Sequence, residues 1–174
     1  MIETNYDYES GYHDGTLVEQ DALAFLGAFK RVEDVPDRYY LPNFTSDVDA
    51  EDAWNAFDSE KLEGLCYHTR RYVYGKAWRE WESFCHEHNV HPALADPKDI
   101  EVHLTEQQKL VNKLKSAHDA RFRPLFRWFR WMQFHMDYPH RYNPVVMAVL
   151  LGGATADIWQ TRLLDRKYIP NYDE

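Results

Sequence analysis

Apolar positions in the second half of the chain recur at helical intervals. Between residues 66 and 89, Tyr67, Tyr74, Trp78, Trp81, Cys85 and His88 follow one another at spacings of seven, four, three, four and three. That period lays them along one face of a helix. The Asn89-Val90-His91-Pro92 turn stops it, and Asp96-Pro97-Lys98-Asp99 opens a second helix with an N-cap and a proline at its first position. Ile100, His103, Leu104 and Leu110 form the expected inner stripe of that helix. Over 116–138, steps of about 100° per residue gather Phe122, Leu125, Phe126, Phe129, Met132 and Met136 on one side. Arg123, Arg127 and Arg130 fall on another side, and Pro124, which lacks an amide hydrogen, means that either the regular helix begins near Arg123 or a longer helix from Ser116 is kinked there, the kinked helix being the preferred expectation. Pro139 ends this segment. Asn143-Pro144 caps a helix over 145–151, Gly152-Gly153 closes it, and 155–164 reads as a last short helix.

The first 65 residues are patterned more weakly. Two short helices are expected there, over 18–31 with Leu23, Phe25, Leu26 and Phe29, and over 48–62 with Trp54 and Phe57. The stretch 34–47 carries Pro36, Pro42 and Thr45-Ser46 and reads as a loop, with Asp47 or Asp49 capping the second helix. The expected fold is therefore all-α: a compact four- to five-helix bundle over 66–151, an acidic, partly helical extension over 1–65, and a short helix and tail over 152–174.

Composition narrows the class. Aromatic residues make up 16% of the 174 residues against 7 glycines, which suits packed helices better than a turn-rich sandwich or a disordered chain. No run approaches the length of a membrane span, and the opening residues are acidic and tyrosine-rich, unlike a signal peptide. A soluble, cytoplasmic protein with no membrane partner is expected. Cys66 and Cys85 lie 19 positions apart on one helix, roughly 30 Å, too far for a disulfide, so both read as reduced thiols.

The net charge of -9 is unevenly spread. Residues 1–65 hold 16 Asp/Glu against 4 Lys/Arg, whereas 66–149 hold 9 against 13. Within 109–130, Lys109, Lys113, Lys115, Arg121, Arg123, Arg127 and Arg130 face Asp119 alone. An acidic arm thus precedes a basic core, and such clustered cations neutralise phosphates. The arm itself admits three readings: adaptation to high salt, a segment that binds a partner or mimics DNA at the basic helix, or a solubilising tail.

Three local patterns, in order, resemble the core-binding domain of tyrosine recombinases (phage integrases). Thr69 precedes Tyr72, Trp78, Trp81, Phe84 and Cys85. Asp96-Pro97-Lys98-Asp99-Ile100 precedes Leu104. Ser116 precedes Leu125, Phe129 and Trp131 and then Asn143-Pro144-Val145. The resemblance spans about half the chain. It implies a SAM-like bundle that forms one half of a C-shaped clamp on duplex DNA, with contacts from Thr69, Arg70, Arg71 and Lys76 on the first helix. Around the long helix it implies Lys113, Lys115, Ser116, His118, Arg121, Arg123, Arg127 and Arg130.

The catalytic domain that family members carry, with its arginines, lysine, histidines and nucleophilic tyrosine, has no counterpart in the 23 residues after Leu151. A non-catalytic binder, or the excised binding part of an integrase, is therefore expected, with duplex DNA as partner and a recombinase or a second copy as further candidates. The strings His68-Thr-Arg-Arg71 and His118-Asp-Ala-Arg121 match the recombinase spacing but lie in the binding half. Tyr168 and Tyr172 lack the surrounding cations a nucleophile would need. Cys85, His86, His88 and His91 offer metal-ligand types, yet Cys85 and His88 share the buried stripe while His86 points elsewhere, and no His-Glu-x-x-His string is formed. Neither metal nor cofactor is expected. Trp128, Trp131 and Phe134 flank the arginine side, where packing against the 145–151 helix is the simpler expectation and base contact the sharper one. The rival class is a helical protein-interaction module that uses these aromatic faces and the acidic arm.

Overall fold

A computed structural model of the chain describes residues 12–13, 16–17 and 29–164. It is an all-α bundle. The helices, in order, are α1 (Ala50–Phe57), α2 (Gly75–His88), α3 (Pro97–Leu110), α4 (Leu114–Ala117), α5 (Arg123–Phe134), α6 (Pro144–Val149) and α7 (Ala154–Leu164). Among the described residues the only strand pairing is a two-residue antiparallel ladder, Tyr12–His13 with Thr16–Leu17. Its two sides are separated by Asp14-Gly15, a hairpin signal that the helical patterning does not reveal. Most of the helix expected over 18–31 lies outside the described residues, and its last three positions are not helical.

The capping signals work as their chemistry requires. Asp96 accepts from the Lys98 amide at 2.8 Å while Asp99 accepts from the Asp96 amide at 3.1 Å, so two orphan donors at the start of α3 are satisfied reciprocally. Asp49 caps α1 through the Asp52 amide at 2.9 Å, and Asn143 caps α6 through the Val145 amide at 2.9 Å. Asn89 ends α2 in the left-handed region at φ 55°, a conformation asparagine tolerates. The cap of α7 comes from elsewhere in the chain. The Glu101 carboxylate on α3 accepts from the amides of Ala154 at 2.6 Å and Thr155 at 3.0 Å. It approaches so closely that a Cβ on Gly153 would lie 2.1 Å from it.

Several helices are longer or shorter than expected. π-Helical turns over Asp58–Leu62, Thr69–Tyr74 and His118–Phe122 extend α1, precede α2 and join α4 to α5. The last of these accommodates Pro124. The Ala120 carbonyl, which the missing proline amide would have met in a regular helix, accepts from the Arg121 guanidinium at 3.2 Å. Helix α5 ends at Phe134, where His135 turns extended, so Met136 is 99% exposed instead of lying on the inner stripe. Leu110, at the end of α3, is likewise exposed. The expected loop over 34–47 contains three short 3-10 turns, Val32–Asp34, Asp37–Tyr39 and Leu41–Phe44, of which Tyr39 and Leu41 reach the core.

The core joins the acidic segment to the basic one. Trp54 of α1 stacks on Trp78 of α2 at 5.0 Å between ring centroids, and Trp128 of α5 meets both edge-on at 5.5 and 5.2 Å. Phe57 packs on Trp131 at 5.7 Å. The tryptophans of α5 are therefore covered in part by α1, a helix that the charge pattern groups with the extension. Val48, Ala53, Trp54, Phe57 and Leu62 all belong to the same core as α2, α3 and α5. Cys85 is buried and Cys66 exposed, both as free thiols. No helix among the described residues is long and apolar enough to cross a membrane.

Two imidazoles are buried in this core. His103 packs on Trp81 and Phe84 at 5.0 Å each, and His140 donates from Nε2 to the Ala93 carbonyl at 2.7 Å. Burial pushes the pKa of His103 down to about 3, helped by nearby Arg121, and that of His140 down to about 4. Both stay neutral in the folded chain but take up protons near pH 6.5 once it unfolds. Stability is therefore complete above that value and falls as the pH drops towards the folded pKa values, at up to about 1.4 kcal/mol per pH unit for each histidine. Urea denaturation should show a loss of about 2 kcal/mol per histidine between pH 7 and pH 5. An unchanged midpoint would rule out neutral burial.

Candidate nucleic-acid interface

The cations singled out in the sequence separate into three groups once folded. Those on the first helix are largely spoken for. Arg70 forms a two-pronged pair with Asp58, with its Nε at 2.9 Å from one carboxylate oxygen, and this bond holds the guanidinium pKa above its usual range. Lys76 lies 3.8 Å from Glu80. Thr69 is half-buried, its hydroxyl 3.2 Å from the Cys66 thiol. Arg71 is exposed, with its Cζ 5.9 Å from the Tyr67 ring and 6.0 Å from Tyr72. The groove beside it, of about 390 Å³, also carries the carboxylates of Glu51 and Asp58, so its charge is mixed.

Arg121 is turned inward. Only 8% exposed, it donates from Nε to Gln107 at 2.9 Å and from Nη2 to Glu80 at 3.1 Å, and it closes the gap opposite Pro124. It is a structural arginine, unavailable to a phosphate. The spacing explains why: Arg121 precedes Leu125 by four residues and Trp128 by seven, and both are buried.

Arg123, Arg127 and Arg130 form the third group. Spaced four and three residues apart, they share one exposed edge of α5, and His118 extends it by stacking on Phe122 at 5.4 Å. All four, with Phe122 and Phe126, line a groove of about 380 Å³. Asp119 tempers one end: it lies 3.0 Å from His118 Nδ1 and 3.9 Å from Arg123. Arg127 and Arg130 make no ion pair with any described carboxylate. The Arg127 side chain is positioned by the phenol of Tyr74, a core residue of the first helix, to which its Nη1 donates at 2.5 Å, with Cζ 5.5 Å from that ring. Tyr74 was legible as a core position, but its hydroxyl contact was not.

On the other side of Arg127 and Arg130 lies a second groove, of about 420 Å³, walled by Phe57, Phe126, Trp131, Phe134 and His135. Glu60 sits in it, its carboxylate accepting from the Trp131 indole at 3.1 Å and lying 3.2 Å from Lys61, whose hydrogen bond keeps it below the usual carboxylate pKa. The three aromatics flanking the arginines behave differently. Trp128 and Trp131 are buried, whereas Phe134 is 77% exposed beside the ridge. Lys113, Lys115 and Ser116 are exposed around the start of α4.

What this arrangement can do is bind anions along a line without reacting with them. A guanidinium held by Tyr74, a second exposed without an ion pair to any described carboxylate and a third partly neutralised, with phenylalanines in the grooves on either side, suit a chain of phosphates or carboxylates. A nucleophile with a neighbouring base is not assembled among these residues. The Arg121 and Glu80 pair holds the ridge helix against α2. Because Glu80 is partly exposed, Glu80→Ala should destabilise the fold by about 2–3 kcal/mol, below the cost of breaking a fully buried pair, measured by chemical denaturation. A change under about 0.5 kcal/mol would show that the pair is idle. No protein family, curated protein or solved structure matches this chain.

Proposed function

We propose that this chain is a non-catalytic DNA-binding protein that holds duplex DNA along the Arg123, Arg127 and Arg130 edge of α5. The observation that carries the reading is the exposure of Arg127 and Arg130 on one side of a rigid helix with no described carboxylate paired to either. Cations so placed release counterions from a polynucleotide, and the net charge of the whole chain matters less than this local field. Lys113, Lys115 and Ser116 extend the footprint to the N-terminal side. The helix-start patterns that resemble tyrosine recombinases fit the same use. On that reading the protein occupies recombination sites, or accompanies a recombinase, without cutting DNA.

The contact from Arg70 drops out of the expected set in this reading, because Asp58 already occupies its guanidinium, and Arg121 drops out because it is buried. A competing reading as a protein-interaction module draws on Phe134 and Met136, which leave apolar surface exposed at the end of the ridge.

Fluorescence anisotropy with a labelled duplex separates the two. Each phosphate contact contributes about 0.9 to the salt slope, so three should weaken binding roughly fortyfold between 50 and 200 mM salt. Replacing Arg123, Arg127 and Arg130 by alanine should remove most of the binding and flatten that slope by about 2–3. Lys98→Ala, which removes an exposed charge on α3, should leave both nearly unchanged. Absence of duplex binding by the native chain at 50 mM salt would exclude the DNA reading and favour a protein partner.

A further inference from the structure

The ridge faces a competitor within its own chain. Residues 1–28 contain Glu3, Asp7, Glu9, Asp14, Glu19 and Asp21 and no Lys or Arg at all. We propose that this acidic arm docks on the Arg123, Arg127 and Arg130 edge of α5 and competes there with polynucleotide. The proposal rests on the reading of that edge as an anion-binding surface.

Three observations carry it. The first is charge complementarity: six carboxylates with no Lys or Arg among them, set against Arg127 and Arg130, which no described carboxylate pairs with, and Arg123, which Asp119 approaches only at 3.9 Å. The second is where the arm is rooted. Phe29, which follows it, packs edge-on against Tyr142 at 6.3 Å, and the neighbouring Asn143 donates to the Phe126 carbonyl of α5 at 3.1 Å. The root thus packs beside a residue whose neighbour is bonded to the ridge helix, and the eleven residues 18–28 between it and the Tyr12–Leu17 ladder can extend roughly 36–40 Å, about twice the length of α5. The third is shape: grooves flank Arg127 and Arg130 on both sides, with Phe122 and Phe126 among the cations of one and Phe126 and Phe134 beside Glu60 and Lys61 in the other, and the arm carries tyrosines at 6, 8 and 12 among its carboxylates. Tethering places the arm at an effective concentration on the order of millimolar, so even a weak contact restrains binding of DNA.

The test uses the full chain with all six carboxylates neutralised (E3Q, D7N, E9Q, D14N, E19Q, D21N), so that its own arm no longer competes. A synthetic peptide of residues 1–28 with the native sequence is then added without DNA, and arginine side-chain Nε–Hε signals are followed by NMR. The peptide should shift the signals of Arg123, Arg127 and Arg130, with half-saturation on the order of 0.1 mM at low salt and loss of the shifts in high salt. The neutralised chain should also bind duplex about tenfold more tightly than the native chain, and added peptide should reverse that gain. Removal of the three arginines should abolish peptide binding.

Peptide that shifts nothing, or that binds equally well after the arginines are replaced, overturns the proposal. The same holds if the neutralised chain gains affinity that the peptide cannot reverse, because the gain would then reflect net charge alone. Peptide binding without any DNA binding would leave the arm's docking standing while removing the DNA reading. DNA binding with no effect of the peptide would do the opposite.

Discussion

Three tryptophans decide how this molecule presents its charge. Trp54, Trp78 and Trp128 come from α1, α2 and α5 and meet with every pair of ring centroids between 5.0 and 5.5 Å. Large aromatic surfaces buried against each other contribute heavily to stability and fix rotation about a helix axis, because each ring must meet its neighbours at a particular angle. Once Trp128 points into this cluster, Leu125, Phe129 and Met132 follow it inward, and the residues at 123, 127 and 130 are left on the outside. The cationic edge is thus a consequence of the aromatic interior. Weakening the cluster would blur the ridge even with every arginine still present.

The same cluster changes the meaning of the acidic segment. Counted by charge, residues up to 65 form one block and those beyond form another. Packing divides the chain differently, since α1 supplies Trp54 and Phe57 to the interior and Asp58 to the surface pair with Arg70. Acidic residues of that segment therefore serve two purposes. Some are tied to particular cations of the bundle, and those before residue 29 have no cation near them in sequence.

Much of the fold was legible because its signals are local. Asp96-Pro97 and Asn143-Pro144 are capping chemistry in which a side chain meets an amide within a few residues of itself, and Asn89 stops its helix by its own left-handed backbone, so each works as expected. The failures arise where distant residues decide. Glu101 caps α7 across more than fifty residues, and no spacing rule could announce it. Met136 and Leu110 continued an apolar period on paper, but the helix leading to Met136 stops at Phe134, and Leu110, the last residue of α3, is left exposed. At Pro124 the structure combines both expectations: helical residues run from Leu114, regular α-helix resumes at Arg123 after a π-helical turn, and the Arg121 side chain meets the carbonyl that the proline leaves free.

The candidate site was legible in its location and not in its membership. Counting cations over 109–130 finds the right helix, because phosphate binding needs density of charge. It cannot tell an arginine that faces water from one that completes a core. Arg121 illustrates the distinction: its spacing from Leu125 and Trp128 already places it on the buried stripe, and burial is tolerable only because Glu80, Gln107 and the Ala120 carbonyl satisfy it. Arg127 shows the converse, an exposed cation held by a neutral phenol that takes none of its charge away. A guanidinium fixed in place yet not neutralised loses less freedom on meeting a phosphate than a solvated lysine would, and it retains its full attraction. That difference, more than the number of basic residues, sets Arg127 apart from the ion-paired Arg70 and Lys76.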